Sequence, residues 1–202
     1  MASLLRNVFI LIIVQYLCAV PVATARPLAG QRTPVVTTRN GTLVGVYSPP
    51  YHQDFFLGVP YASAPVGNLR FHRPTPPQAW NGTKAVSAYG PWCMGNSLNL
   101  AGFSQNSTSQ MSEDCLHLNI IRPTGLSTKA QLPVLVWIHG GGWDEGSAND
   151  QRYNGTFIVQ QSVRMHSPVV FVSFNYRLGI FGMMAGSVIE QAGLTNLVLH
   201  DQ

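Results

Sequence analysis

The sequence predicts an α/β protein, in which a small antiparallel hairpin precedes an incomplete mixed, partly parallel sheet. Two nearly continuous apolar runs, residues 133–138 and 168–174, bracket a glycine-rich loop and a helical stretch around 156–165. Runs of this kind mark strands buried on both faces, and strand, helix and strand in that order imply a parallel pair. Earlier, β-branched residues 35–38 meet 43–47 through Asn40-Gly41, a dipeptide that tolerates positive φ at both turn positions.

The elements follow in order. Residues 1–25 read as a secretory signal peptide: Arg6 gives the positive start, 8–19 the apolar core, and Ala23-Thr24-Ala25 the cleavage site, with cleavage after Ala25. The remainder, 26–202, is expected to be one domain. After a loose stretch and the hairpin, 55–59 is a short strand. Prolines at 65, 74, 76 and 77 make 60–77 a surface loop, because proline removes ladder donors. Residues 80–110 are polar and poor in helix signals. Residues 116–121 alternate into an apolar end and predict another strand. Beyond Asn175 only a weak helical stretch near 183–191 is available to cover the sheet, so the sheet looks unfinished.

Composition narrows the function. Hydrophobic residues make up 46% of the 202 positions and charged residues only 10%, which excludes a disordered chain. The net charge of +4 is spread singly, with no Lys/Arg run, which argues against nucleic acid as a partner. The six histidines are dispersed without ligand spacing, so neither a metal nor any other cofactor is expected. Four Asn-x-Ser/Thr sequons, at Asn40, Asn81, Asn106 and Asn154, fit glycosylation of a secreted, extracellular protein. Cys18 lies in the leader, which leaves Cys93 and Cys115 as a bridge or as two buried thiols.

His139-Gly140-Gly141-Gly142-Trp143 directly follows the first apolar run. Three consecutive glycines carry an entropic cost, so a close backbone approach or φ > 0 must require them. Such a loop can turn successive N–H groups toward one anion or developing oxyanion, and loops of this type serve lipases and esterases. A phosphate cradle would add Lys-Ser/Thr or GxGxxG, and neither is present. His139 is read as a structural partner of the loop, not a catalytic base.

With further marks the chain resembles the type-B carboxylesterase/lipase family, from about residue 35 to 202. These marks are 56–62 (FLGVPYA), 65–67 with 69–71 (PVG, LRF), 112–116 (SEDCL), 139–143, 175–179 (NYRLG) and 199–202 (LHDQ). The resemblance implies the N-terminal half of an α/β-hydrolase fold. Gly141 and Gly142 would donate to the oxyanion, Gly140 would permit the turn, and Trp143, where the family usually has Phe, would line the acyl pocket. Cys93–Cys115 would be a disulfide, and Arg70–Glu113 and Arg177–Asp201 structural salt bridges. Val198 departs from the family's Gly and puts a β-branched side chain in a tight segment.

The resemblance further implies a serine-type carboxylic ester hydrolase acting on small-molecule or lipid esters, with no membrane span after leader cleavage. No GxSxG elbow occurs in the sequence, so none of the catalytic triad is expected here and the polypeptide is expected to be inactive alone. The alternatives are a non-catalytic binding or adhesion module of the same fold, or a misfolding truncated product.

Overall fold

The computed structural model describes residues 32–96, 110–127 and 129–202. The expected leader and the Asn106 sequon lie outside them. The expected hairpin is present as β1 (Val35–Thr38) and β2 (Gly41–Val44), antiparallel, with Thr38 opposite Gly41. The turn residues are therefore Arg39 and Asn40, one position earlier than predicted. Gly41 is demanded by packing as well as by its φ of 140°: a Cβ there would lie 2.5 Å from Trp80 Nε1. Residues 43–47 do not form a single strand. The chain leaves the first sheet at Gly45, where a Cβ would meet the Phe55 carbonyl oxygen at 2.2 Å, and β3 (Val46–Ser48) joins a second sheet.

That second sheet carries the architecture. Its order is β3, β4 (Gln53–Pro60), β8 (His117–Pro123), β10 (Val170–Phe174), β9 (Val134–Ile138). All neighbours are antiparallel except β9 and β10, the parallel pair linked by α1 (Thr156–Arg164). The sheet is thus mixed, as predicted. A bulge between Phe56 and Val59 breaks the β4 register. There Gly58, at φ 71°, donates its N–H to Asn119 Oδ1 (3.0 Å) and passes within reach of the Ala88 carbonyl, which a Cβ would meet at 2.6 Å. Short strand β5 (Thr83–Ala85) closes the hairpin sheet, and β6 (Trp92–Cys93) pairs with β7 (Met111–Ser112).

One expectation fails. Residues 134–138 were predicted to be buried on both faces, yet their exposures run from 37% to 57%. An apolar run suits a strand with neighbours on both sides, and β9, last in the order, has only β10 among the described residues. By contrast β10 is internal, with Phe171, Ser173 and Phe174 buried, although Val170 and Val172 are only half-buried and full burial on both faces is not reached here either. Helix α1 lies against β8 and β10, burying Val159 beside Ile121 and Phe171, while Phe157, Ile158 and Val163 on its other sides are exposed. Beyond Asn175 the weak helical stretch resolves into α2 (Gly179–Met183) and α3 (Ser187–Gln191), and α4 (Leu197–Asp201), unforeseen, buries Leu197 and Val198.

Val198 fits its segment: it is 1% exposed and packs in a core with Tyr176, Leu178 and the Cys93–Cys115 disulfide. Early and late chain are stitched together by side-chain hydrogen bonds. Gln53 Nε2 donates to the Thr156 carbonyl (3.0 Å), Tyr61 Oη to that of Asn175 (2.7 Å) and Arg73 Nε to that of Gly193 (3.1 Å). Among the described residues no helix is long and apolar enough to cross a membrane.

The bridge closes a span of 22 positions, worth about 3 kcal/mol on a chain-entropy basis. Both cysteines are buried. Unreduced folded protein should therefore resist thiol alkylation, and a Cys93→Ser/Cys115→Ser variant should lose about 2–5 kcal/mol of unfolding free energy in a urea titration.

Candidate oxyanion site

Strand β9 delivers its C-terminal end directly into the glycine loop. The loop lines a cleft of about 290 Å³ together with Ile138, His139, Trp143, Tyr176 and Gln202. Its sharp geometry is made at Gly141 (φ 127°), Gly142 (φ 63°) and Trp143 (φ 60°). Gly140, assigned the turn from sequence, lacks such a φ, and a Cβ there would meet nothing within 4 Å. At Gly141 a Cβ would fall 2.1 Å from the Glu145 carbonyl oxygen. The Gly141 carbonyl accepts the N–H groups of Asp144 (3.2 Å) and Glu145 (3.1 Å). Among the described residues the N–H groups of Gly141 and Gly142 donate to no protein acceptor. Donors left open in this way at a cleft can serve an incoming oxygen.

His139 supports this loop. Its ring is buried, stacks on Tyr176 (centroids 4.2 Å apart, 8° between planes), and its Nδ1 donates to the Gly140 carbonyl at 2.9 Å. That bond fixes the proton on Nδ1 and leaves Nε2 buried, without a partner among the described residues. The Tyr176 hydroxyl donates to the His139 carbonyl. Gly146 is required here too, since a Cβ would sit 2.7 Å from His139 Nδ1.

Burial holds the His139 imidazole below its ordinary value of 6.5. The unfolded chain takes up that proton as pH falls through 6.5 while the folded chain resists it. The stabilisation is thus complete above 6.5 and is lost as pH drops below it. The urea midpoint should fall between about pH 7.5 and pH 5. His139→Phe, which keeps a ring against Tyr176, should make that decline shallower.

Asn175 organises the next turn of chain. Its Oδ1 accepts Ser147 Oγ (3.0 Å) and the Ala148 N–H (2.8 Å), and its Nδ2 donates to the Pro91 carbonyl (3.0 Å). Sequence reasoning gave no role to Asn175 or Tyr176. The signal was present, as two polar residues at the end of an apolar run.

The structure also places the remaining predicted residues. Arg70 and Glu113 form a bidentate, partly exposed pair (2.6 and 2.5 Å). Arg177 and Asp201 are fully interior: Asp201 accepts the Arg177 backbone N–H, Nε and Nη2 (3.0, 2.8 and 2.7 Å), while Arg177 Nη1 reaches the His72 carbonyl (2.7 Å). Both pairs stand apart from the cleft lining. Among the sequons, Asn81 is exposed, Asn40 Nδ2 donates to the Pro77 carbonyl (2.7 Å), and Asn154 Oδ1 accepts the Thr156 N–H (3.0 Å). No cluster of metal-binding side chains occurs among the described residues.

Known proteins resemble this chain in sequence and in fold. The sequence model of the carboxylesterase family matches residues 32–202. The chain is 41% identical to Lipase 2 of Geotrichum candidum over 172 residues, covering 74% of this chain and 30% of that protein. It is 37% identical to the para-nitrobenzyl esterase of Bacillus subtilis over 168 residues, covering 83% and 32% respectively. The crystal structure of Aspergillus niger EstA superposes with a TM-score of 0.72 at 37% identity, covering 84% of this chain and 31% of that one. The chain belongs to the carboxylesterase family, and its fold is part of an α/β-hydrolase. It spans about a third of the length of the relatives it matches.

Proposed function

We propose that this chain is the oxyanion-bearing part of a secreted, serine-type carboxylic ester hydrolase, with residues 1–25 as its leader and 26–202 as its domain segment. The reading is carried by the glycine loop, where two adjacent N–H groups are unspent at a cleft lined by Trp143. In such an enzyme a serine adds to the ester carbonyl, and the carbonyl oxygen takes the negative charge of the tetrahedral intermediate. The Gly141 and Gly142 N–H groups stabilise that oxygen, and Trp143 bounds the acyl side. Collapse of the intermediate expels the alcohol, and water then releases the acid. These 202 residues hold no GxSxG nucleophile, so the serine and its partners belong to the remainder of the family domain. Substrates are small-molecule or lipid esters, and the sequons suit a glycosylated extracellular protein.

The test is a chimera in which residues 32–202 replace the matching third of the Bacillus subtilis esterase. It should hydrolyse p-nitrophenyl butyrate, whereas the 202-residue chain should show no turnover above a Gly141→Pro control. A folded chimera without turnover overturns the oxyanion reading.

A further inference from the structure

The oxyanion loop leaves β9 with a strand behind it, but its descending limb at Asp144 enters neither strand nor helix. What grips that limb comes from a distant part of the sequence. The Asn96 N–H donates to the Asp144 carbonyl (2.9 Å), and Asn96 Nδ2 donates to Asp144 Oδ2 (2.6 Å). Gly95 lies so close that a Cβ would stand 2.6 Å from the Asp144 carbonyl oxygen. On another side Gly179 donates its N–H to the Trp143 carbonyl (2.7 Å), and a Cβ there would come 2.9 Å from Asp144 Oδ1. The gripping segment is itself anchored, because Cys93 is bonded to Cys115 within the core and the Trp92 N–H donates to Gln110 (2.9 Å).

We propose that Gly95–Asn96, tethered through Cys93 to Cys115, is a positioning clamp that aims the Gly142 oxyanion donor by holding Asp144. Peptide planarity supplies the link. The Gly141 carbonyl and the Gly142 N–H belong to one rigid trans peptide and point in opposite directions. The Gly141 carbonyl is held by the N–H groups of Asp144 and Glu145. Fixing Asp144 therefore fixes the direction of the Gly142 N–H. The side-chain bond from Asn96 is charge-assisted, stronger than a neutral contact at an equally exposed position. Among the described residues Asn96 hydrogen-bonds only Asp144 and does not line the cleft, so its action on the donor runs through Asp144. The inference rests on the oxyanion reading of the loop, but its test does not depend on turnover.

Hydrogen–deuterium exchange of the 202-residue chain reads the clamp directly. Asn96→Asp sets two carboxylates against each other, and Asn96→Ala removes the donor. Each should speed exchange in peptides covering 140–146 by about tenfold, with β8 and β10 unchanged. Adding Asp144→Asn to Asn96→Asp reverses donor and acceptor and should restore slow exchange, a coupling that a double-mutant cycle isolates. Loop exchange within twofold of the parent in both single variants would overturn the clamp. So would a double variant as loose as Asn96→Asp, or loosening that spreads equally into β8 and β10. A chimera without ester turnover but with the predicted exchange response would sink the oxyanion reading alone.

Discussion

Asp201→Ala is expected to lower unfolding free energy by about 3–5 kcal/mol, the range for breaking one partner out of a buried ion pair. Arg177 and Asp201 side chains are 4% and 0% exposed. Without the carboxylate, the guanidinium keeps its bond to the His72 carbonyl, but Nε and Nη2 lose their acceptor, as does the Arg177 backbone N–H. An uncompensated buried cation dominates the cost. Arg177→Met should be damaging in the same way, because it strands the carboxylate. A combined Arg177→Met/Asp201→Leu variant should recover part of the loss, since apolar pairs of similar volume replace such bridges at little cost. Urea midpoints of the singles and the double check this. A single-variant loss below about 1 kcal/mol would show that water reaches the pair.

The largest expected effect on chemistry is at Gly141. Gly141→Ala in the esterase chimera should reduce kcat by about 10²–10³, the range for losing one oxyanion donor. Alanine does not readily hold φ 127°, and its Cβ would sit 2.1 Å from the Glu145 carbonyl oxygen. The loop must move, and both N–H groups move with it. The urea midpoint should change far less, because the loop is largely exposed and outside the core. Gly140→Ala, which meets no atom and needs no unusual φ, should cost under about tenfold by the same assay. Equal losses at 140 and 141 would mean that the loop's glycines act by flexibility and not by geometry.

What the sequence made legible was local. β9, α1 and β10 each announce themselves by an apolar run or a helical period, and their connection implies the parallel pair. The loop was legible because three glycines at a strand end need a reason. The sheet switch at Gly45 was hidden, because the reason is Phe55, ten residues away. Gly41 looked like a turn residue, while its nearest constraint is Trp80. The exposure of β9 could not be read either: residue types record what a strand suits, and neighbours decide what it has. Asn96 is the extreme case, one polar residue in a polar stretch whose meaning depends on Asp144.

The hydrogen bonds that stitch Gln53 to Thr156, Tyr61 to Asn175 and Arg73 to Gly193 span 103, 114 and 120 positions. During synthesis, then, the early strands emerge long before the groups that finish their bonding. At about 5–20 residues per second the wait is roughly 5–24 s. For that interval Gln53, Tyr61 and Arg73 lack these acceptors, so the early part of the chain reaches its final bonding only after residues 156–193 have been made.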